Sequence, residues 1–213
     1  MSEFYRLEDV SFMISPFAFC DLDDNHQSAD TCPRCPKCNR PIGRRHWLEP
    51  RKVVLSKPQY GDFVPGGEYL VSENFKSAYE QSDLKGIREF VPVEISKVRY
   101  MRKTSPQPPQ YYVMNLKYSF AKIDLEKSFI KWGTPDPERM CSLCNPFGTV
   151  STEIRGLHID AKNWGGEDIF HLHEIGGVYA SQKFIDFCTE KKFTNFKYVN
   201  TKDYIFPNYK FGD

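Results

Sequence analysis

Gly176-Gly177-Val178-Tyr179-Ala180-Ser181-Gln182-Lys183-Phe184 echoes an earlier stretch, Gly66-Gly67-Glu68-Tyr69-Leu70-Val71-Ser72-Glu73-Asn74-Phe75. The serine and the phenylalanine recur at one interval (181 − 72 = 109; 184 − 75 = 109). The likeness runs on, with Leu84 matching Phe193, Gly86 matching Asn195, Ile87 matching Phe196 and Arg88 matching Lys197. Self-similarity at a fixed spacing marks a repeated supersecondary unit. Each copy reads as a short apolar strand, Tyr69 to Val71 or Val178 to Ala180, that stops at a serine. A serine hydroxyl can accept from the first unpaired amides of a helix, so Ser72 and Ser181 are predicted N-caps. Phe75, Ala78 and Tyr79 then fall at i, i+3 and i+4, as do Phe184, Phe187 and Cys188, which is the spacing of a core-facing helical stripe. Gly86 and Asn195 suit a left-handed stop. Alternating strands follow, Ile87 to Val93 and Phe196 to Val199.

The expected fold is therefore α+β, with two related strand–helix–strand halves and an antiparallel or mixed sheet. The halves are assigned to residues 1–103 and 111–213, packed as one compact unit. Between them, Thr104-Ser105-Pro106-Gln107-Pro108-Pro109-Gln110 reads as an extended loop. Tyr111 to Phe120 reads as a further strand. Ile169 to His173 reads as another, with His171 and His173 on one face.

The 213 residues carry 29 Lys+Arg and 28 Asp+Glu, a net charge of +1. Near balance argues against a chain built around a strongly basic grip on nucleic acid. With 40% hydrophobic residues the chain can bury a core. No apolar run approaches the length of a membrane-spanning helix, and no signal peptide is visible in Met1-Ser2-Glu3-Phe4-Tyr5-Arg6. The expected location is the cytosol.

Seven cysteines occur, Cys20, Cys32, Cys35, Cys38, Cys141, Cys144 and Cys188. An odd count in a reducing compartment does not suit a disulfide framework. Cys32-Pro33-Arg34-Cys35-Pro36-Lys37-Cys38 and Cys141-Ser142-Leu143-Cys144 instead carry Cys-x-x-Cys spacing, which lets two sulfurs of one tight turn point at one ion. Two such turns make a closed four-cysteine site, the usual structural zinc arrangement. The knuckles lie 103 positions apart (141 − 38), so a shared metal would clip remote stretches of chain. A knuckle favours a left-handed residue after its second cysteine. Asn39 and Asn145 permit this and Pro36 does not. The predicted ligands of a structural Zn2+ are therefore Cys35, Cys38, Cys141 and Cys144. Cys32 is a nearby spare thiol, and either Cys32 or His46 could replace a ligand.

These features resemble the double-CXXCG-motif immunity proteins of bacterial polymorphic toxin systems. The resemblance rests on Phe4-Tyr5-Arg6-Leu7, on Cys35-Pro36-Lys37-Cys38 followed by Trp47-Leu48, on Cys141-Ser142-Leu143-Cys144, and on Asp168-Ile169-Phe170 through Val178 to Phe184 and Phe196-Lys197-Tyr198. Asn39 and Asn145 stand where that family usually has glycine. The resemblance implies a non-enzymatic cytoplasmic protein that binds a cognate toxin domain and neutralises it, with no catalytic residues. Tyr100, Tyr111, Tyr112, Tyr204 and Tyr209 are candidate contact aromatics.

Other chemistry is less well supported. His171-Leu172-His173-Glu174 has no identifiable third metal ligand. Asp21, Asp23, Asp24 and Asn25 lack the glycine and distal glutamate of a calcium loop. His26 and His158 stand alone. Arg40, Arg44, Arg45 and His46 beside the first knuckle support an alternative, a zinc-knuckle nucleic-acid-binding protein.

Overall fold

The computed structural model describes residues 2–8, 15–23, 34–40, 50–66, 69–145 and 147–206. Asp24, Asn25, His26, Cys32, Arg44, Arg45, His46, Trp47, Leu48 and Tyr209, singled out above, lie outside the described residues. In the first half the strands are β1 (Phe4–Leu7), β2 (Cys20–Leu22), β3 (Arg51–Leu55), β4 (Phe63–Val64), β5 (Leu70–Ser72) and β6 (Ile87–Val98), with helix α1 (Glu73–Glu80) between the last two. The second half begins with β7 (Tyr111–Tyr118), β8 (Lys122–Ile123), β9 (Phe129–Trp132), β10 (Ser151–Arg155) and β11 (Ile159–Asp160). It continues with β12 (Ile169–His171), β13 (Tyr179–Ser181), helix α2 (Gln182–Glu190), β14 (Tyr198–Asn200) and β15 (Ile205–Phe206). The architecture is α+β with strands dominant and the sheet mixed.

Ser72 and Ser181 cap the two helices. Each hydroxyl accepts from the amide three residues on, Phe75 at 3.2 Å and Phe184 at 3.3 Å. Both strands start and end one residue later than the sequence suggests. The reason is that each serine also pairs in the sheet, Ser72 opposite Tyr111 and Ser181 opposite Phe4, before its side chain caps the helix. Gly86 has φ 129° and Asn195 φ 58°, positive as expected, but both make turns beyond the helix ends: the helices stop at Gln81 and Lys191, with Lys192 left-handed at φ 56° after α2. The helix stripes, Phe75 and Tyr79 from α1 and Phe184, Ile185 and Cys188 from α2, meet in one shared core. The Phe75 and Phe184 rings lie 6.1 Å apart at 60°. Truncating either ring would remove a fully buried aromatic, at a cost of about 3–5 kcal/mol.

Among the described residues, the main sheet runs β14-β1-β13-β12-β7-β6-β3-β2, with β4 and β5 joined to it through β7. This order exchanges the first strand of each half. β1, from the first half, sits between β13 and β14 of the second. β7, from the second half, pairs with β5 and β6 of the first and, in parallel, with β12 of its own. The registers agree: Phe4, Tyr5 and Arg6 face Ser181, Ala180 and Tyr179, as Tyr111, Tyr112 and Val113 face Ser72, Val71 and Leu70. Phe4 buries its ring edge-on against Trp164 and Phe170 in a second core. Tyr111 is buried in a third core with Cys20, Val53 and Leu55.

The remaining strands differ in detail from the sequence reading. β7 ends at Tyr118 rather than Phe120, β12 at His171 rather than His173, and the strand expected over Phe196 to Val199 spans Tyr198 to Asn200. Two small sheets, β15-β10-β9 and β11-β8, are built from segments with no repeated counterpart.

Candidate metal centre

Each knuckle is a turn closed by its own backbone. In the first, the Asn39 amide donates to Cys35 O at 2.8 Å and the Cys35 amide donates to Arg40 O at 2.8 Å. This closure needs a left-handed residue, and Asn39 supplies it at φ 58°. The second turn closes one residue earlier. Cys141 and Asn145 exchange both backbone bonds, at 2.9 and 3.0 Å, as an isolated antiparallel bridge. Asn145 is not among the described residues with positive φ, because that shorter closure does not require it. The left-handed residue expected after the second cysteine is thus present in the first turn and not in the second, although both turns deliver their sulfurs.

The fold brings the two turns together. Cys35 Sγ lies 3.8 Å from Cys141 Sγ, and Cys38 Sγ 3.5 Å from Cys144 Sγ. Each cysteine faces its own repeat equivalent (141 − 35 = 106; 144 − 38 = 106), the self-complementary pattern of a two-fold contact. Lys37 Nζ crosses to Ser142 Oγ at 2.5 Å. All four sulfurs lie within 4.8 Å of one another. Sulfurs about 2.3 Å from a tetrahedral ion would stand about 3.8 Å apart, so the cluster is compatible with a metal site.

The electrostatics differ from one thiol to the next. Amide groups of Cys144 and Leu143 point at Cys141 Sγ and hold its pKa down, to about 6. Burial opposes ionisation of Cys35, but the amides of Cys38 and Lys37 outweigh it and the pKa falls. Burial and the neighbouring sulfurs push Cys144 the other way. Four thiolates this close repel one another strongly, and a bound cation removes that penalty. Among the described residues this is the one group of three or more Cys, His, Asp or Glu able to hold an ion.

The other sequence candidates fall elsewhere. The rings of His171 and His173 both lie against Tyr118, at 5.2 and 4.9 Å, and His171 Nδ1 is 2.7 Å from Gly177 O. Burial lowers the His173 pKa. Asp21 lies on β2 and pairs with Arg99 at 3.1 Å. Cys20 and Cys188 are buried in apolar cores, far from any exposed role. Two of the tyrosines offered as contact aromatics are interior. Tyr111 donates to Gly61 O at 2.7 Å, and Tyr204 packs under the Arg6 guanidinium at 4.4 Å. Tyr112 is half-buried, and Tyr100 is exposed.

Sequence reasoning missed two aspartates that join the halves. Asp62 Oδ1 accepts from its own N-cap Ser72 at 2.7 Å, while Oδ2 accepts from the Thr194 amide of the other half at 2.9 Å. Asp168 does the same with Ser181 at 2.8 Å and the Lys85 amide at 2.9 Å. The repeat, extended upstream, carries the signal: Asp62-Phe63 and Asp168-Ile169 stand 106 apart (168 − 62).

Among the described residues no helix is long and apolar enough to cross a membrane. Comparison with curated proteins returns no match. A family model described as an immunity protein family, Imm11, matches residues 27–203, a span that includes both knuckles, both helices and both aspartates. By that match the chain belongs to the Imm11 immunity protein family.

Proposed function

We propose that this protein binds a cognate bacterial toxin domain and neutralises it by occlusion, covering the toxin's working surface rather than transforming it chemically. The observation that carries this reading is the family match over most of the chain. The exchanged first strands and the helix core shared by α1 and α2 support this reading, because such packing limits the ordering needed on binding. A stiff surface has little ordering cost on binding.

Cys35, Cys38, Cys141 and Cys144 are proposed to hold one structural zinc ion. The ion would supply charge neutralisation and a covalent-strength link between remote turns, contributing to folding rather than to a reaction. Reduced thiols fit the cytoplasm, the proposed location.

The test is co-expression with the toxin domain encoded in the adjacent reading frame. Growth should be restored and the two proteins should co-purify at fixed stoichiometry. A pair that neither associates nor restores growth overturns the reading.

A further inference from the structure

Resting on the immunity reading, we propose that the toxin docks over the second cysteine knuckle, and that the toxin surface seated there is apolar at its centre and acidic at its rim. Met140, Leu143 and Val150 are 53%, 38% and 72% exposed. They crowd onto one short segment. Leu143 occupies the turn itself, and Met140 precedes it. Met140 also lies over Gly148, where an added Cβ would meet Met140 Cγ at 2.7 Å. Val150 follows two residues later. Single exposed aliphatics are ordinary, and three on one eleven-residue segment beside the cysteine cluster are the basis of the proposal.

The rim around them is basic. The cysteine cluster brings Arg34 and Lys37 from the first knuckle to the second, and Lys37 reaches Ser142, the neighbour of Leu143. Arg139 precedes Met140, and Arg40 closes the first turn. Asp136 and Glu138 share this region, but Asp136 is engaged by Arg139 at 3.3 Å. With Arg139 and Asp136 paired to each other, Arg34, Lys37 and Arg40 against Glu138 attract an acidic rim and repel a basic one. An apolar centre with a charged rim is the ordinary anatomy of a protein interface.

The centre also separates protein from nucleic acid. Single-stranded bases need exposed rings to stack on. At this turn the exposed side chains Met140, Leu143 and Val150 carry no ring, and the half-buried rings of Trp132 and Phe147 stack on each other at 4.0 Å; the exposed rings of the neighbouring sheet, Phe129 and Phe206, lie outside the named centre. The turn is pre-formed by the reciprocal Cys141–Asn145 bonds, so its side chains are presented without a folding step.

The experiment measures binding of the full-length protein to the toxin domain of the adjacent reading frame. Leu143→Asp and, further from the cysteines, Val150→Asp should each weaken binding about 30-fold or more, as centre residues do. Lys37→Glu should slow association about tenfold at low salt and flatten its salt dependence. Leu125→Asp, on the turn between β8 and β9 and 49% exposed, should change nothing. Melting temperature and metal content are checked for every variant, so a misfolded one is not counted. If the wild type binds and a folded Leu143→Asp and Val150→Asp bind as tightly, the docking proposal is overturned while the immunity reading stands. If the wild type does not bind, both fall. Single-stranded or duplex DNA is the second probe. DNA binding that Lys37→Glu abolishes, with toxin binding untouched, overturns the proposal in favour of a nucleic-acid face.

Discussion

Asp62 and Asp168 occupy equivalent stations in the two halves and latch them together in opposite directions. Each carboxylate takes its own helix N-cap serine with one oxygen and the opposite half's post-helix loop with the other. The backbones repeat the pattern: Ser72 N to Asp62 O and Ser181 N to Asp168 O are both 2.9 Å. Phe63 N to Thr194 O and Ile169 N to Lys85 O are both 3.2 Å. The contacted loops also correspond (194 − 85 = 109). The same two side chains thus hold the capping serines in place and join the halves.

Removing a latch should therefore weaken the whole molecule. Asp168→Ala strands a buried serine hydroxyl and a backbone amide, and should cost about 2–4 kcal/mol. Asp62→Ala should cost somewhat less, because Asp62 is only half-buried. Urea unfolding followed by far-UV and near-UV signals should show one shifted transition in each case. Two separated transitions would contradict the latch.

Asp62 also predicts a pH dependence. Burial alone would raise its pKa, but the Thr194 amide and the Ser72, Asn74 and Thr194 side-chain donors outweigh it, and the folded value is lowered. The unfolded chain then binds more protons than the folded one as the pH falls. The stabilisation is complete above the unfolded value of about 3.9 and is lost as pH drops through the folded value. Urea midpoints of wild type and Asp62→Asn, compared from about pH 6 to about pH 3, should converge toward the acid end. A constant gap would show that the carboxylate charge is not involved.

The cysteine cluster predicts a metal stoichiometry. Protein purified without chelators should carry about one zinc per chain, released by thiol modification. Cys38→Ser and Cys141→Ser should each lose the metal and several kcal/mol of stability, since structural zinc binding contributes on the order of 10 kcal/mol to folding. Elemental analysis checks the first point and thermal unfolding the second. Full stability in metal-free protein would refute the assignment.

Gly86 and Gly176 should respond differently to one methyl group. Gly86 has φ 129°, and an added Cβ would stand 1.8 Å from Ile169 O, the strand start beside the Asp168 latch. Gly86→Ala should destabilise by more than about 3 kcal/mol or prevent folding. At Gly176 a Cβ meets nothing within 4 Å, so Gly176→Ala should lie within about 0.5 kcal/mol of wild type. Thermal unfolding of the pair tests the comparison internally.

Local features were legible without coordinates. Ser72 and Ser181 were readable as caps because a capping bond spans three residues. Gly86, Asn195 and Asn39 were readable as left-handed because that preference belongs to the residue itself. The helix stripes followed from spacing. Asn145 was misread because two turns of equal cysteine spacing can close at different residues. Which of the candidate tyrosines are interior, Tyr111 and Tyr204, was not legible because a tyrosine in an alternating segment has no local mark of the side it faces.

By itself, the order of residues determined two like units, their helices with caps and stops, and two sulfur pairs suited to a common ion. Only the tertiary structure decided that Phe4–Leu7 pairs within the second unit and that Tyr111–Tyr118 joins the first while also pairing with β12 of the second. It also decided that Cys35 meets Cys141 across the resulting pseudo-two-fold relation. The physical reason is that β5 and β13 offer nearly the same edge to an incoming strand. Sequence neighbours cannot choose between two such edges, and the choice falls to chain closure and to the burial of Phe4 and Tyr111 in different cores.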